Sequence, residues 1–250
     1  MNYNWNWQIF WEASPDASGT YMDTLLSGLQ WTLATALSAW LIALVIGVVV
    51  GTMRTLPHKW VVRFANAYIE LFRNIPLLVQ MFLWYFVMPE LVPQAWGDWI
   101  KALPNASFVT AVISLGLFTS ARVAIQVSAG IASLPLGQRQ AGTALGLSET
   151  QTYRYILLPQ AVRIIIPPLT NEFLNVIKNS AVALTIGLME LTASARSMQE
   201  FSFQVFEAFT AATLIYILVN VCVLVLMHFL EKRTALPGSG APSRHPLESN

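Results

Sequence analysis

The sequence predicts an all-α, polytopic membrane protein with about five transmembrane helices, and three observations carry that prediction. Of 250 residues, 55% are hydrophobic and 11% are charged, against roughly 25% charged in a soluble domain. Apolar stretches recur at a length that suits a bilayer core, which needs about 20 residues of helix. Lysines and arginines gather in alternate connections between those stretches, as they do on the cytoplasmic side of a membrane protein. A net charge of +1 gives no electrostatic footprint for nucleic acid.

The stretches follow in order. Residues 28–52 contain no charge. Residues 61–92 are interrupted by Glu70, Arg73, Asn74 and Pro76, and residues 108–134 carry Arg122 near their middle. Residues 161–191 are long enough to span but are expected to break at Pro167-Pro168 and at Lys178-Asn179-Ser180. Residues 205–230 are continuous and contain the single cysteine, Cys222, expected to be a small buried hydrophobe. Residues 1–10 are rich in Trp and Asn, with no basic region or cleavage site of a secretory signal.

Charge bias sets the orientation. Residues 1–53 hold Glu12, Asp16 and Asp23 but no Lys or Arg. Arg54, Lys59 and Arg63 fall in the next connection, Arg139, Arg154 and Arg163 in the third, and Lys232 and Arg233 after the last span. The alternate connections hold only Lys101 and Arg196, each among acids. The N-terminus is therefore expected outside, with the C-terminus and residues 135–160 in the cytoplasm. This divides the chain into an outer segment 1–27, a transmembrane domain 28–231, and a Pro-, Gly- and Ser-rich tail 232–250 expected to be disordered. Trp5, Trp7, Trp11, Trp84, Trp96 and Trp99 fall near outer boundaries, where indoles anchor.

The long polar island at 140–160 is the most informative segment. Residues 138–145 read as a short helix with small side chains at Ala141, Gly142 and Ala144. Gly146 suits a left-handed C-terminal cap, and Ser148 with Gln151 forms a capping box that starts a second short helix. Pro159 then marks the approach to the next span. The result is a rigid knob with small faces for a partner surface; the plainer reading is a capped hairpin that merely joins two spans.

The residues favour a partner. Ala141-x-x-Ala144-Leu145-Gly146-Leu147-Ser148, followed by Tyr153-Arg-Tyr-Ile-Leu-Leu-Pro-Gln-Ala-x-Arg163, resembles the EAA loop of permease subunits in bacterial ABC importers. That resemblance implies a type I ABC importer permease fold whose loop inserts into a cleft of an ATPase subunit. The coupling residues would be Gln140, Ala141, Ala144, Leu145, Gly146, Leu147 and Ser148. Gln140-Ala141-Gly142 stands where the family has Glu-Ala-Ala, so docking is expected without an ion pair from position 140. Phe72-Arg-Asn-Ile-Pro-Leu-Leu-Val-Gln80 is similar to a signature of polar amino-acid permeases, and residues 167–180 resemble the fourth span of the same group. Asn74 and the Trp-rich start at residues 4–10 are similar to glutamate/aspartate permeases. The implied partners are a second permease, homologous or identical, two ATPase subunits and a periplasmic substrate-binding protein, at the bacterial inner membrane. No Gly-x-x-x-x-Gly-Lys-Ser/Thr loop is present, so ATP and Mg are expected on the ATPase and no cofactor on this chain.

Charges within spans are costly and commonly mark a pathway. Glu70 and Arg73 share a helical face and are expected to pair near the cytoplasmic start of their span. Arg122 lies too deep to reach either interface and needs an anion: a carboxylate of this or a partner subunit, or a substrate carboxylate held in its fork. Family members carry an acidic and a basic residue just beyond it, where this chain has Ile125 and Ser128. Arg73, Asn74, Arg122, Gln80, Lys178 and Asn179 are the candidate pathway residues; for Gln80, Asn171 and Asn179 an interhelical tie is the alternative. Pro76 and Pro167-Pro168 are candidate gate elements or packing kinks. Scattered His58, His228 and His245 suggest no metal site. An ion-coupled secondary transporter would show paired repeats and coupling acids, and a membrane enzyme a Ser/His or Asp-rich constellation; neither pattern is present.

Overall fold

The computed structural model describes residues 3–15 and 19–234. Of the tail 232–250 expected to be disordered, residues 232–234 are the end of the last helix and the rest lies outside the described residues. Among the described residues there is no β-strand. Three helices are long and apolar enough to cross a membrane, and two bent pairs bring the count to five if each pair is one span.

A short 3-10 turn, Trp7–Trp11, precedes α1 (Tyr21–Met53). α1 starts seven residues before the expected Gly28, because Thr20 and Asp23 form a capping box there: Asp23 N–H donates to Thr20 Oγ1 at 3.3 Å and Thr20 N–H to Asp23 Oδ2 at 2.9 Å. α2 (Lys59–Asn74) and α3 (Leu77–Phe82) meet at 98° across Ile75-Pro76. α3 continues through a π turn, Leu83–Val87, into α4 (Met88–Leu91). The amphipathic α5 (Gln94–Lys101) folds back on α4, closed by a 2.6 Å Lys101–Glu90 bridge. That bond holds the lysine pKa above its ordinary value. α6 (Ala106–Ala132) follows, then the short α7 (Leu136–Ala144). α8 (Glu149–Thr152) runs through a second π turn, Tyr153–Leu157, into α9 (Leu158–Asn179) and a 3-10 segment, Ser180–Ile186. α10 (Leu191–Ser202), bent 50° from that run, and α11 (Val205–Thr234) complete the chain.

The centre is the parallel pair α1 and α6, along which Trp31 meets Phe108, Gly47 meets Val123 and Gly51 meets Val127. Small residues let the two backbones close together: a Cβ on Gly47 would sit 2.5 Å from Val123 Cγ1, and one on Gly116 would sit 2.9 Å from Ile42 Cγ2. Leu77 and Met81 of α3 and Phe173, Val176 and Ile177 of α9 pack on the Ala36, Ala39, Ala111 and Leu115 part of this pair. Tyr153, Leu157, Ala161 and Ile165 pack on Ala43, Val123 and Val127. α10 and the N-terminal segment cover the other end through Ile9, Phe10, Tyr21, Leu25, Leu191 and Met198.

Of the two expected breaks, α9 gives way at Asn179 to the 3-10 segment from Ser180, but the break at Pro167-Pro168 is corrected, as is the burial of Cys222. α9 passes through Pro167 and Pro168 without ending. Two adjacent prolines forfeit two helix hydrogen bonds, but the carbonyls they leave belong to Arg163 and Ile164, both on an exposed turn. The departures from α-helix come instead just ahead of Pro89 and Pro159. Met88 N–H bonds to Leu83 O, and Leu158 N–H to Tyr153 O, each five residues back. A widened turn relieves the clash between a proline ring and the carbonyl four residues before it. Cys222 is exposed on α11 rather than buried, because α11 packs through few residues and leaves Leu214, Leu218, Val221 and Val225 open.

Gly47→Ala is expected to lower the thermal unfolding midpoint of the purified protein, by about 1–3 kcal/mol of overpacking. Gly137→Ala, whose Cβ meets nothing within 4 Å, should leave the midpoint unchanged or raise it. A scan by differential fluorimetry compares the two.

Candidate functional site

The 136–160 segment folds into a rigid projection. α7 ends in a Schellman motif: Leu147 N–H donates to Gly142 O at 3.1 Å and Gly146 N–H to Thr143 O at 3.0 Å. This places Gly146 at φ +72°, where a Cβ is strained. Two residues on, Ser148 closes its box, with Ser148 N–H donating to Gln151 Oε1 at 2.8 Å and Gln151 N–H to Ser148 Oγ at 3.3 Å. The second helix is not a separate short one, as the sequence suggested. Glu149 begins a single run that reaches Ile186, because the π turn carries the backbone past Pro159 instead of stopping at it.

Four contacts fix α7 to that run. Arg139 Nη2 meets Glu149 Oε1 at 3.0 Å, and the guanidinium lies 5.9 Å from the centroid of the Tyr153 ring. Gln160 Nε2 donates to Gln138 Oε1 at 3.1 Å. Gly142 is buried so close to Thr152 that a Cβ would sit 2.8 Å from its side chain. Tyr153 OH then donates to Thr55 O at 2.7 Å, tying the projection to the end of α1. Its outer surface is open: Gln140, Ala141, Ala144, Leu145, Gly146 and Ser148 are exposed and Leu147 is half-buried. Leu136 and Leu145 are 79% and 75% exposed, apolar surface that nothing among the described residues covers.

The candidate residues within the spans separate into three places. Arg122 on α6 is met by Glu172 on α9, Nε to Oε2 at 3.0 Å. Glu172 falls within residues 167–180, and a carboxylate 50 positions away gives no local signal of pairing. The carboxylate side chain is 10% exposed while the guanidinium remains 45% exposed and lies near the Phe118 ring, so part of the fork is free.

Lys178 lies farther along α9, exposed, beside a groove of about 510 Å³ lined also by Leu174 and by Thr213, Tyr216, Ile217 and Asn220 of α11. No carboxylate among the described residues pairs with it within 4.0 Å. Pro167, Asn171 and Lys178 are exposed at spacings of four and seven, so they share one stripe of α9. Asn179 is half-buried and makes no capping bond to the 3-10 segment.

The third place is the bend between α2 and α3. Arg73 and Asn74 are exposed there, more than a turn beyond Tyr68, whose hydroxyl pairs with Ser120 at 2.7 Å near the middle of α6. Arg73 is therefore not at the start of its span, and among the described residues it forms no ion pair with Glu70. Gln80 does not face this opening. It is 2% exposed and spends both amide hydrogens on the carbonyls of Phe72 and Ile75, at 2.7 and 2.9 Å. These carbonyls belong to the last turn of α2, which Pro76 leaves without its usual donors. Gln80 therefore braces the bend.

Ser128 also has a defined role. It accepts a hydrogen bond from Arg54 Nη1 at 3.2 Å, while Arg54 Nε donates to Asn66 at 3.0 Å. One arginine thus joins α1, α2 and α6. Two further buried carboxylates were unanticipated. Glu190, fully buried, caps α10 by accepting from Thr192 N–H and Ala193 N–H, and takes the Tyr216 hydroxyl at 2.9 Å. Glu207 receives the Tyr3 hydroxyl and Asn6 N–H, pinning the N-terminal segment to α11. Among the described residues no cluster of His, Cys, Asp and Glu could hold a metal ion.

Comparison with known proteins agrees with this architecture. The family described as binding-protein-dependent transport system inner membrane component matches residues 43–236. The glutamate/aspartate import permease protein GltJ of Escherichia coli (strain K12) is 46% identical over 96% of this chain and 98% of its own length. The probable glutamine ABC transporter permease protein GlnM of Bacillus subtilis (strain 168) is 33% identical over 87% and 94%. Among solved structures, an amino acid ABC transporter crystallised with histidines superposes with a TM-score of 0.73, at 30% identity, over 85% of this chain and 95% of that one. The MetNI methionine ABC transporter, at 18% identity and a TM-score of 0.69, shares the fold. The family match spans residues 43–236, most of the chain, and with it this chain belongs to the inner-membrane permease subunits of binding-protein-dependent ABC importers.

Proposed function

We propose that this permease imports acidic amino acids, glutamate and aspartate, and that the α7 projection receives the motion of an ATPase bound on the cytoplasmic side. The observation that carries the substrate reading is the pair of cations, Arg122 and Lys178, left exposed within the spans. Exposed charge is costly against lipid, so this stripe faces a second permease and the pathway between the two. A substrate with two carboxylates supplies the anions that Arg122 in part, and Lys178 entirely, do not find among the described residues. The similarity to a glutamate/aspartate permease across nearly the full length supports the same reading.

Family permeases work with an ATPase and a substrate-binding protein. One projection per chain supports the finer assembly. Two permeases, identical or homologous, present two projections to two ATPase subunits, where ATP and Mg are held. The exposed Leu136 and Leu145 and the small Ala141 and Ala144 form the docking face. Gln140 contributes no charge to it. The N-terminus lies outside, and the C-terminus lies on the side of the projection.

Gly146→Asp places a Cβ and a charge at φ +72° on that face. It should abolish uptake of radiolabelled glutamate into proteoliposomes and lose the ATPase on co-purification, while the permease still accumulates in the membrane. Retained ATPase would remove the docking role. Thr143→Cys is expected to react with an impermeant maleimide in inverted vesicles only; labelling of intact spheroplasts would reverse the orientation. Arg122→Ala should reduce glutamate uptake at least tenfold with the ATPase still bound, and unchanged uptake kinetics would take Arg122 out of the pathway.

A further inference from the structure

We infer that the first two turns of α2 bind the phosphate headgroup of an anionic phospholipid in the leaflet on the α7 side. The inference rests on the chain being a membrane permease and not on which substrate it carries. α2 buries Ala65 and Ile69 against Val50 and Ala124. Away from that face it presents an apolar stripe, with Trp60, Phe64 and Leu71 at 79%, 63% and 56% exposure. Lys59 and Arg63 flank the stripe one turn apart, both exposed, and the Arg63 guanidinium carbon stands 4.9 Å from the centroid of the Trp60 ring.

Neither cation has an ion-pair partner among the described residues. The carboxylate of α2, Glu70, is seven positions beyond Arg63, about 10 Å along the helix. Arg54 is already engaged by Asn66 and Ser128, so the uncompensated charge is that of Lys59 and Arg63. Cations in the first turns of a helix oppose its dipole, so they do not serve the helix itself. Their geometry fits a lipid: an indole and a phenyl ring on the acyl side, two cations at phosphate height, and a guanidinium already held over the indole. The apolar surface continues past the bend through the exposed Leu78, Val79 and Phe82, as a lipid-facing surface does and a soluble partner's footprint does not.

The test uses the full permease–ATPase complex in detergent, with bound lipid counted by native mass spectrometry during titration with phosphatidylglycerol or phosphatidylcholine. Juxtamembrane cations each contribute about fivefold to anionic-lipid affinity. Lys59→Gln with Arg63→Gln should therefore weaken phosphatidylglycerol binding by about 25-fold and leave phosphatidylcholine binding unchanged. Arg196→Gln, which removes a cation already bonded to Glu200, should change neither. Equal affinity of the unaltered complex for both lipids would overturn the inference, as would undiminished phosphatidylglycerol binding in the double variant. Loss of the ATPase from that variant would assign the patch to the protein interface instead. Displacement of the lipid by millimolar inorganic phosphate alone would make it a free-anion site.

Discussion

The structure depends on one close approach, the parallel packing of α1 against α6. Lipid offers no hydrophobic driving force for bringing two apolar helices together, so their association rests on dispersion contacts that only short separations provide. Gly47 and Gly51 of α1 and Gly116 of α6 remove the side chains that would hold the axes apart. Every other element takes its position from that pair: α2 and α3 along one side, α9 along another, and α10 across the end. A change in the spacing of the pair would therefore alter the pathway residues and the projection together.

Polar groups inside this scaffold are satisfied in two distinct ways. Those that hold helices together are buried and bonded within the chain, as Glu190 is between α10 and Tyr216, and as the Gln80 amide hydrogens are across the bend. Those that face the open stripe are left incompletely engaged, as Arg122 and Lys178 are. This division separates framework from pathway more sharply than residue type does, since both sets contain groups that the sequence marks as expensive in a membrane.

Much of this was legible beforehand. The second, third and fifth spans followed from hydropathy to within a few residues, whereas the fourth begins twelve residues before its expected start. The cap at Gly146 with its following box followed from local chemistry, because a Schellman turn and a capping box are decided within six residues. The Thr20–Asp23 box was equally local and still went unread, which displaced the start of α1. The rest required tertiary information. Arg122 announced its need for an anion, but Glu172 is set opposite it by the packing of α6 on α9. Gln80 looked like a pathway amide because nothing in its own stretch shows that both its hydrogens are taken by carbonyls freed at Pro76. Pro167-Pro168 looked like a break because the rule counts lost hydrogen bonds, whereas here those carbonyls open to an exposed turn while Ile165 and Thr170 remain packed.

The unbroken run from Glu149 to Ile186 makes the projection and the stripe two ends of one lever. From Ser148 to Lys178 is thirty residues, about 45 Å of helix at 1.5 Å per residue. A tilt of about 5° pivoting at one end displaces the other by about 4 Å, more than the length of a hydrogen bond. Proline 159 would have interrupted that rod had the chain stopped its helix there; the π turn ahead of it is what keeps the lever in one piece.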